Sequence, residues 1–251
     1  MKIDLTDKLA VVTGASGELG RVMVRTLAAC GADVAVHYLR NKAKAEELAT
    51  EVRDAGQRSL AVQADITDLD SVLKMKAAIA AELGEPHIIV NNAVIQYDWK
   101  SVLEQAPEDY ESQFRSSVLH NVHMAKAFVP AMEKAKWGRV IGINTECSMQ
   151  YWSGQSAYIS GKRGMDGVLR VLAREVGGNG ITVNQVAPGF TLSENKEDSE
   201  KTRGYREKVP LQRRGTDQEI ANVVAFLASD LASFITGAYI PVCGGNVMPA
   251  I

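Results

Sequence analysis

The stretch LAVVTGASGELG, residues 9–20, joins a short apolar segment to the start of a helical pattern. Its first four residues predict a buried strand, and from Glu18 onward apolar side chains recur at helical spacing. Three glycines, Gly14, Gly17 and Gly20, lie in the turn. Glycines allow a tight turn and close approach of the backbone to a phosphate, which the free N–H groups of a helix N-terminus attract. The stretch therefore predicts a phosphate-binding loop; the alternative is an ordinary glycine-rich turn.

The alternation of strand and helix continues along the chain. Apolar segments rich in Val and Ile recur at ADVAVHY, SLAVQAD, HIIVNNA, GRVIGIN, ITVNQVAPG and AYIPVCGG, with helical patterns between them. Such alternation predicts an α/β fold with a doubly wound, Rossmann-type parallel sheet of seven strands, covered by helices on both faces. One long helix is expected to run from about Pro107 to Lys134. No linker or repeat divides residues 1–251, so a single domain is expected.

The end of the second predicted strand indicates which nucleotide the loop would bind. An acid there would bind the ribose hydroxyls of NAD and repel the 2′-phosphate of NADP. The sequence reads HYLRNKAK, so Arg40 and Asn41 follow Tyr38 and Leu39, and no acid is present. A guanidinium pairs well with a phosphate, so NADP(H) is predicted to be favoured, with NAD(H) as the alternative cofactor. The alternative for Arg40 is a solvated position at the start of a helix.

Further along, QSAYISGKRG places Tyr158 and Lys162 four residues apart. That spacing is just over one helical turn, so both side chains are expected on one face of a helix. A cation about 5 Å from a phenol is worth roughly 3 kcal/mol at an effective dielectric near 20. Such an attraction would lower the phenol pKa by about two from its usual value of about 10 and prepare it for proton transfer. The alternative is an amphipathic surface helix whose lysine extends into solvent.

Composition and charge argue against several other classes of protein. The 251 residues carry a net charge of −2 with no basic run, so no nucleic-acid partner is expected. No apolar run reaches the roughly 18 residues of a membrane span, and the N-terminus does not read as a signal peptide. A cytoplasmic protein with no membrane partner is therefore expected. The three cysteines are scattered, and His120 and His123 lack partners at ligand spacing, so no disulfide and no metal are predicted.

Taken in order, these segments resemble the short-chain dehydrogenase/reductase family in its single-domain form. The likeness covers nearly the whole chain and rests on TGASGELG, ADITD, NNAV, YISGK, VNQVAPG and VPLQRRGTDQEIANVVAFLASDLASFITG. Members of the family bind NAD(H) or NADP(H) and move hydride between the nicotinamide and an alcohol or carbonyl. The resemblance implies an oxidoreductase that acts on a small-molecule carbonyl or secondary alcohol. It also implies a homotetramer assembled through the helices after the fourth and fifth strands and through the last strand.

The resemblance assigns roles to individual residues. Tyr158 would be the general acid/base, and Lys162 its partner, which also holds the nicotinamide ribose. Further cofactor contacts would come from the glycine loop and the strand ends: Gly14, Ser16, Gly17, Leu19, Gly20, Arg40, Asn41, Asp65, Ile66, Asn92, Ala93, Val94, Pro188, Gly189 and Thr191. The polar segment at about 190–209 lacks periodicity, and its position suits a mobile lid over the substrate.

Four positions depart from the family pattern. Thr145 stands thirteen residues before the tyrosine, where the family usually has serine, and its hydroxyl can still donate to a substrate oxygen. Ser117 stands at the usual helix asparagine, which normally helps to hold a water in a proton relay to the lysine. Either Ser117 or Asn121, one turn later, would serve that relay. Glu18 stands in the glycine loop, where an acid beside phosphates would be unfavourable unless it points to solvent, and Val94 replaces a glycine near the cofactor.

The predicted substrate-binding residues follow the fifth and sixth strands. They are Thr145, Glu146, Tyr151 and Phe190, and Glu146 hints at a polar, polyhydroxylated substrate. The alternative for Glu146 is a structural pair or an interface contact. Two other functions stay open: an epimerase or dehydratase that uses the same cofactor, and a non-catalytic cofactor-binding sensor, which the departures at Ser117 and Thr145 would suit.

Overall fold

The computed structural model describes residues 2–194 and 196–248, and its centre is a parallel sheet of seven strands. The strands are β1 (Leu9–Val12), β2 (Asp33–Tyr38), β3 (Ser59–Gln63), β4 (Ile88–Asn91), β5 (Gly138–Ile143), β6 (Ile181–Pro188) and β9 (Tyr239–Val242). They lie in the order β3-β2-β1-β4-β5-β6-β9. A separate parallel pair joins β7 (Thr191–Leu192) to β8 (Gly215–Thr216).

Helices cover both faces of the sheet, which confirms the predicted doubly wound α/β fold. They are α1 (Glu18–Ala29), α2 (Lys42–Asp54), α3 (Leu69–Glu82), α4 (Pro107–Gln113), α5 (His120–Ala135), α6 (Cys147–Gln150), α7 (Ser156–Val176), α8 (Arg203–Arg206) and α9 (Asp217–Ala228). On one face, α1, α2 and α9 contribute to a buried cluster that includes Val22 and Val224. On the other face, α3, α5 and α7 contribute Met75, Phe128 and Leu169 to a second cluster. Within the described ranges, no helix is long and apolar enough to cross a membrane.

Strand β1 shows why its sequence reads as an unbroken apolar run. Ala10 and Val12 belong to the first buried cluster, and Leu9 and Val11 belong to the second. Side chains alternate between the two faces of a strand, so a strand that is covered on both faces needs apolar residues at every position.

The strand order places the glycine loop at a reversal in the sheet. β2 and β3 lie on one side of β1, whereas β4, β5, β6 and β9 lie on the other. All the strands are parallel, so their carboxyl ends share one edge. A crevice outside the carboxyl ends at such a reversal is the typical ligand site of doubly wound sheets. The loop after β1 and the segments after β4, β5 and β6 therefore meet at one edge.

The helix predicted from Pro107 to Lys134 is present, but its winding is not uniform. α4 ends at Gln113, a π-helical segment spans Phe114–Leu119, and α5 continues to Ala135. A π turn holds one residue more than an α turn. The apolar spacing on either side still looks helical, so periodicity alone does not reveal the inserted turn.

The segment predicted as an irregular lid contains short regular pieces. β7 lies at its start, and a 3₁₀ turn at Glu200–Thr202 leads into α8. Asp198 accepts hydrogen bonds from the N–H of Ser199 and the hydroxyl of Thr202, and it pairs with Arg206 at 2.8 Å. These contacts are local and polar, so they leave no hydrophobic periodicity in the sequence.

Candidate active site

The loop after β1 has the tight backbone that its glycines predicted. Gly14 has a φ of +61°, in the left-handed region, and a Cβ there would lie 3.0 Å from the Cα of Ala93. A Cβ on Gly20 would collide with the backbone of Gly14 and Ala15. Gly17, which precedes α1, is exposed and provides no side-chain cap. The first N–H groups of α1 are therefore available to an anion.

His37 on β2 supports this loop, a role that the sequence did not indicate. Its Nδ1 accepts a hydrogen bond from the N–H of Gly14 at 2.9 Å, and its Nε2 lies 3.0 Å from the carbonyl oxygen of Ala64. With Nδ1 as the acceptor, Nε2 carries the proton and donates it to that carbonyl. Burial lowers the pKa of His37, which keeps the ring in the neutral form that this arrangement requires.

Thr13 ties the glycine loop to the end of β4. Its hydroxyl accepts hydrogen bonds from the N–H groups of Asn92 at 2.9 Å and Ala93 at 3.1 Å. The Asn92 side chain donates to the carbonyl of Thr13 at 2.9 Å. The half-buried Val94 follows directly. The structure thus brings the three predicted cofactor residues after β4 beside the glycine loop, which also contains Ser16 and leads into Leu19.

The predicted adenine end lies after β2 and β3. Arg40 is exposed immediately beyond β2. Asn41 caps α2 by accepting a hydrogen bond from a backbone N–H of its first turn. Asp65 closes a turn by accepting from the N–H and the hydroxyl of Thr67, and Ile66 is buried. Asn41 and Asp65 therefore have local structural roles, and Arg40 keeps its charge at the surface.

Tyr158 and Lys162 lie on one face of α7, as their spacing predicted. The Lys162 Nζ is 5.8 Å from the centre of the Tyr158 ring. The same Nζ donates to the carbonyl oxygen of Ile143, at the end of β5, at 2.6 Å. Lys162 is only 4% exposed, and burial lowers its pKa to about 8.

The expectation that Lys162 lowers the Tyr158 pKa is wrong for this arrangement. Burial raises the pKa of the phenol above its usual value, and hydrogen bonding to Thr145 only partly opposes that rise. The ammonium is directed at a carbonyl, so desolvation of the phenolate dominates. At neutral pH the structure therefore holds Tyr158 as a neutral phenol that has a proton to donate.

Thr145 is the hydroxyl that stands beside this phenol. It is 7% exposed, and its Oγ1 accepts a hydrogen bond from the N–H of Cys147 at 3.2 Å. Ser148, the other candidate in the sequence, is directed elsewhere: its Oγ lies 2.6 Å from the hydroxyl of Tyr239 and donates to the carbonyl of Thr145. The threonine thus occupies the place that the resemblance gave it.

Ser117 lies in the π-helical segment, and its hydroxyl is buried without a partner among the described residues. Its carbonyl accepts a hydrogen bond from Nδ2 of Asn121 at 2.6 Å, and Oδ1 of Asn121 accepts one from Asn91 at 2.7 Å. In the described part of the chain, neither Ser117 nor Asn121 hydrogen-bonds to Tyr158 or Lys162. A catalytic role for Ser117 stays a prediction.

A cavity of about 650 Å³ opens beside Tyr158. It is lined by Ile95, Gln96, Tyr97, Trp99, Thr145, Glu146, Cys147, Trp152, Gln155, Tyr158, Pro188, Gly189, Phe190, Lys201, Thr202, Gly204, Tyr205 and Lys208. Three of the four predicted substrate residues are present. Tyr151 is the exception: it is exposed, has a φ of +55°, and its hydroxyl accepts a hydrogen bond from Arg163. The structure therefore places Tyr151 outside the cavity.

Several aromatic residues of the cavity were not predicted from the sequence. Trp99 stacks on the Tyr158 ring, with 6.2 Å between centroids and 25° between planes. The hydroxyl of Tyr97 accepts a hydrogen bond from the backbone N–H of Tyr158 at 2.8 Å. Tyr205 accepts one from the N–H of Phe190 at 2.9 Å. Aromatic residues inside polar, non-periodic loops were the only signal of these roles.

The predicted nicotinamide end follows β6. Pro188 and Gly189 line the cavity, and a Cβ on Gly189 would lie 2.6 Å from the hydroxyl of Tyr205. Thr191 begins β7, and its carbonyl accepts a hydrogen bond from Arg214. The backbone after β6 is therefore packed directly against the lid segment.

Glu194 joins the lid segment to α1, close to the glycine loop. Its Oε2 accepts from Nε of Arg21 at 2.9 Å and from Nη1 of Arg25 at 2.8 Å. Glu18 pairs with Arg21 at 3.0 Å and has 44% of its side chain exposed, so it points toward solvent. These ion pairs link the lid to the helix that follows the phosphate loop.

Comparison with known proteins identifies the family. The family model for enoyl-(acyl carrier protein) reductase matches residues 14–246. The 3-oxoacyl-[acyl-carrier-protein] reductase FabG of Staphylococcus epidermidis is 35% identical over 244 residues, which cover 96% of this chain and 100% of the relative. The FabG of Escherichia coli K12 is 38% identical over 244 residues, with 96% and 98% covered. The chain belongs to the short-chain dehydrogenase/reductase family.

Solved structures agree with this assignment. A doubly substituted short-chain dehydrogenase/reductase of Serratia marcescens matches with a TM-score of 0.89 at 31% identity, covering 96% of this chain and 98% of that one. A blue fluorescent protein from a metagenomic library, solved in complex with NADPH, matches with a TM-score of 0.90 at 33% identity, covering 98% and 100%. This short-chain dehydrogenase/reductase is an NAD(P)-dependent oxidoreductase of carbonyls or alcohols, and that prediction is confirmed.

Proposed function

We propose that this enzyme reduces a small-molecule carbonyl with NADPH, or oxidises the matching alcohol, with Tyr158 as the general acid/base. The observation that carries the proposal is the position of the Tyr158 phenol. It lies in the wall of a cavity of about 650 Å³ that Thr145, Pro188 and Gly189 also line. A proton donor, a second hydroxyl and the predicted nicotinamide contacts therefore surround one space.

The residues at the sheet edge fit a dinucleotide. The tight turn at Gly14 leaves a backbone cradle that a Cβ would close, and the uncapped N-terminus of α1 suits a pyrophosphate. Asn92 and Ala93 would hold the middle of the cofactor, and Lys162 the nicotinamide ribose. When bound, NADP(H) supplies or accepts the hydride.

Side chains of the protein supply the proton that the substrate oxygen takes up. Tyr158 is protonated at neutral pH, since burial places its pKa above the usual tyrosine value of about 10, and it can donate to a substrate oxygen that accumulates negative charge. The Thr145 hydroxyl beside it can donate a second hydrogen bond to the same oxygen. The pKa of Lys162 is about 8, so its ammonium is mostly charged at neutral pH. It is directed at the carbonyl of Ile143, and it would hold the nicotinamide ribose.

Preference for NADP(H) rests on Arg40 and on the absence of an acid at the end of β2. Arg40 is exposed immediately after that strand, where a 2′-phosphate can pair with its guanidinium. The solved neighbour that holds NADPH supports the same choice.

The experiment is a spectrophotometric assay of NADPH consumption with a panel of carbonyls: a 3-oxoacyl thioester, a keto acid, an aliphatic ketone and an aryl ketone. The thioester tests the activity for which the FabG relatives are named. Turnover of one panel member, abolished in Tyr158→Phe, would support the proposal. NADPH binding without turnover of any member would contradict it and favour a cofactor-binding sensor.

Assembly, localisation and lid motion complete the proposal. We infer a homotetramer that uses α4, α5, α7 and β9, and a cytoplasmic enzyme with no nucleic-acid partner. Residues 190–209 would act as the lid, since they carry Phe190, Tyr205 and Lys208 of the cavity wall. Light scattering at micromolar concentration tests the assembly: a monomer would contradict it.

A further inference from the structure

Glu146 is a buried carboxyl in the wall of the active-site cavity. It follows Thr145 directly, is 3% exposed, and its N–H donates to the carbonyl of Pro188 at 3.0 Å. Its Oε2 accepts a hydrogen bond from Nδ2 of Asn246 at 3.1 Å. Within the described ranges, no Lys, Arg or His lies within ion-pairing distance of it. The carboxyl is thus withdrawn from bulk solvent without a protein cation to compensate it.

Such a placement is unfavourable for the protein alone. Buried carboxyls are normally paired, because removal of the charge from water carries a large penalty. Burial raises the pKa of Glu146, and the hydrogen bonds from Asn246 and Tyr205 only oppose that rise. Polar groups set among the apolar and aromatic side chains of a pocket are the usual means of orienting a ligand.

The rest of the wall shows what kind of ligand body would accompany this contact. Tyr97, Trp99, Trp152, Phe190 and Tyr205 all line the cavity. Aromatic faces favour flat apolar groups, which pack against them and lose their contact with water.

The position of Glu146 limits where the ligand's polar group can lie. Glu146 directly follows Thr145, and both residues line the same cavity as Tyr158. A group that contacts Glu146 would therefore share this cavity with the carbonyl that contacts Tyr158.

We propose that Glu146 is a specificity-determining residue. It accepts a hydrogen bond from a hydroxyl or ammonium group that the substrate carries within a few bonds of its reacting carbonyl, while the aromatic walls hold a flat apolar body. The substrate class is thus hydroxy- or amino-substituted aryl carbonyl compounds. The inference rests on the proposed carbonyl reduction and adds the identity of the group that is recognised.

The test compares three substrates that share one apolar body. Alpha-hydroxyacetophenone has a hydroxyl donor, its O-methyl ether has none, and alpha-aminoacetophenone has an ammonium. Should the carbonyl panel favour another body, the same three substituents are built on that one. In the parent enzyme we expect kcat/KM for the hydroxyl or the ammonium compound to exceed that for the ether about ten- to hundredfold.

Two substitutions separate the sources of this preference. Glu146→Leu removes every acceptor, so both preferences should fall to within about threefold of unity. Glu146→Gln keeps a neutral acceptor, so a preference for the hydroxyl should partly survive while one for the ammonium is lost. Glu82→Gln, an exposed glutamate on α3, is the matched control and should retain the parent's ratios.

A purely structural role for Glu146 predicts a different pattern. Asn246→Ala removes the partner of the carboxyl but leaves the carboxyl in place. If Glu146 only anchors Asn246, the Asn246→Ala variant should lose the preference for the donor compounds, as Glu146→Leu does. If Glu146 contacts the substrate, the kcat/KM ratio of the donor compounds to the ether should persist. Thermal unfolding and NADPH binding by fluorescence show whether each variant is folded. If Glu146→Leu does not fold, the kcat/KM ratios of Glu146→Gln serve as the test instead.

Different outcomes would contradict the role of Glu146 and the proposed carbonyl reduction. An enzyme that reduces the ether and the two donor compounds equally well, or variants that keep the parent's ratios, would overturn the role of Glu146 and leave carbonyl reduction intact. Absence of NADPH consumption with every carbonyl would contradict the proposed function itself.

Discussion

Gly161 of α7 lies against the backbone of Gln113, the last residue of α4. A Cβ added to Gly161 would be 2.8 Å from the carbonyl oxygen of Gln113. Gly161 stands between Tyr158 and Lys162 in the sequence and is buried. The close approach of the two helices therefore sets the position of the turn that carries both catalytic candidates.

Replacing Gly161 by alanine should displace that turn. We expect Gly161→Ala to lower the free energy of unfolding by about 1–3 kcal/mol, as overpacking does, and to reduce kcat more than it weakens NADPH binding. Gly167→Ala is the matched control, because a Cβ there meets nothing within 4 Å. It should stabilise α7 by about 1 kcal/mol. Chemical denaturation checks both, and equal behaviour of the two variants would contradict the close packing.

Removing the phenol hydroxyl should abolish proton donation. Tyr158→Phe keeps the ring that stacks on Trp99, so the fold and the affinity for NADPH should change little. Turnover should fall at least about a hundredfold, as expected for loss of a general acid. Steady-state kinetics and NADPH fluorescence measure the two effects separately. Near-normal turnover would mean that another group donates the proton.

Burial of Lys162 should make stability depend on pH. Its pKa is about 8 in the folded protein and about 10.4 in an unfolded chain, so between these values the unfolded state binds more protons. Stability should therefore rise with pH across that window, by roughly 3 kcal/mol, and the full penalty applies below about pH 8. Denaturation of the cofactor-free enzyme between pH 7 and pH 10 checks this. Lys162→Met should lose that rise; parallel curves would contradict it.

Arg40 should determine cofactor preference. A charge-assisted contact to the 2′-phosphate is worth about 1.5–3 kcal/mol, which corresponds to roughly ten- to hundredfold in kcat/KM for NADPH over NADH. Arg40→Ala should remove most of that preference by weakening NADPH use alone. Arg174→Ala is the control. Arg174 is an exposed arginine near the C-terminal end of α7, at the other end of that helix from Tyr158. An unchanged cofactor ratio in Arg40→Ala would show that this guanidinium does not contact the phosphate.

The ion pairs of Glu194 should hold the lid near the cofactor. Glu194→Gln leaves Arg21 and Arg25 without this partner, so KM for NADPH should rise up to about fivefold at low salt. In the parent enzyme, added salt should produce a similar rise, because it screens these half-exposed pairs. Glu200→Gln serves as control, since the ion pair of Glu200 in the described part of the chain is with Arg206 of the lid. A KM for NADPH that responds neither to Glu194→Gln nor to salt would show that the ion pairs of Glu194 do not affect NADPH binding.

Local patterns were the part of this molecule that sequence could predict. The strand, glycine turn and helix around Gly14 lie within one short stretch, and the spacing of Tyr158 and Lys162 is a property of a single helix. Both features are determined by residues that are close together in the sequence. The order of elements then predicted a doubly wound sheet, because few topologies bury strands that are apolar on both faces.

Contacts between distant segments were not predictable in the same way. His37 reaches the glycine loop across 23 positions, and Trp99 reaches Tyr158 from a polar loop with no periodicity. The direction of the Tyr158 pKa shift was also missed. Spacing alone gives the attraction of a nearby cation, whereas the desolvation that outweighs it depends on how completely the folded chain surrounds the phenol.

The π-helical segment Phe114–Leu119 has a consequence for how this chain can tolerate changes of length. An α-helix turns about 100° per residue, and the wider turn accommodates one residue that a regular helix would not. Deleting a single residue from Phe114–Leu119 would restore regular winding and leave α4 and α5 in nearly their present rotation, because the wide turn takes up one extra residue. Gln113 could then still face Gly161. A relative whose helix is uniformly α-helical would therefore align with this chain only through a one-residue gap in this segment, and an ungapped alignment would assign the inward-facing side chains on one side of it to the wrong columns.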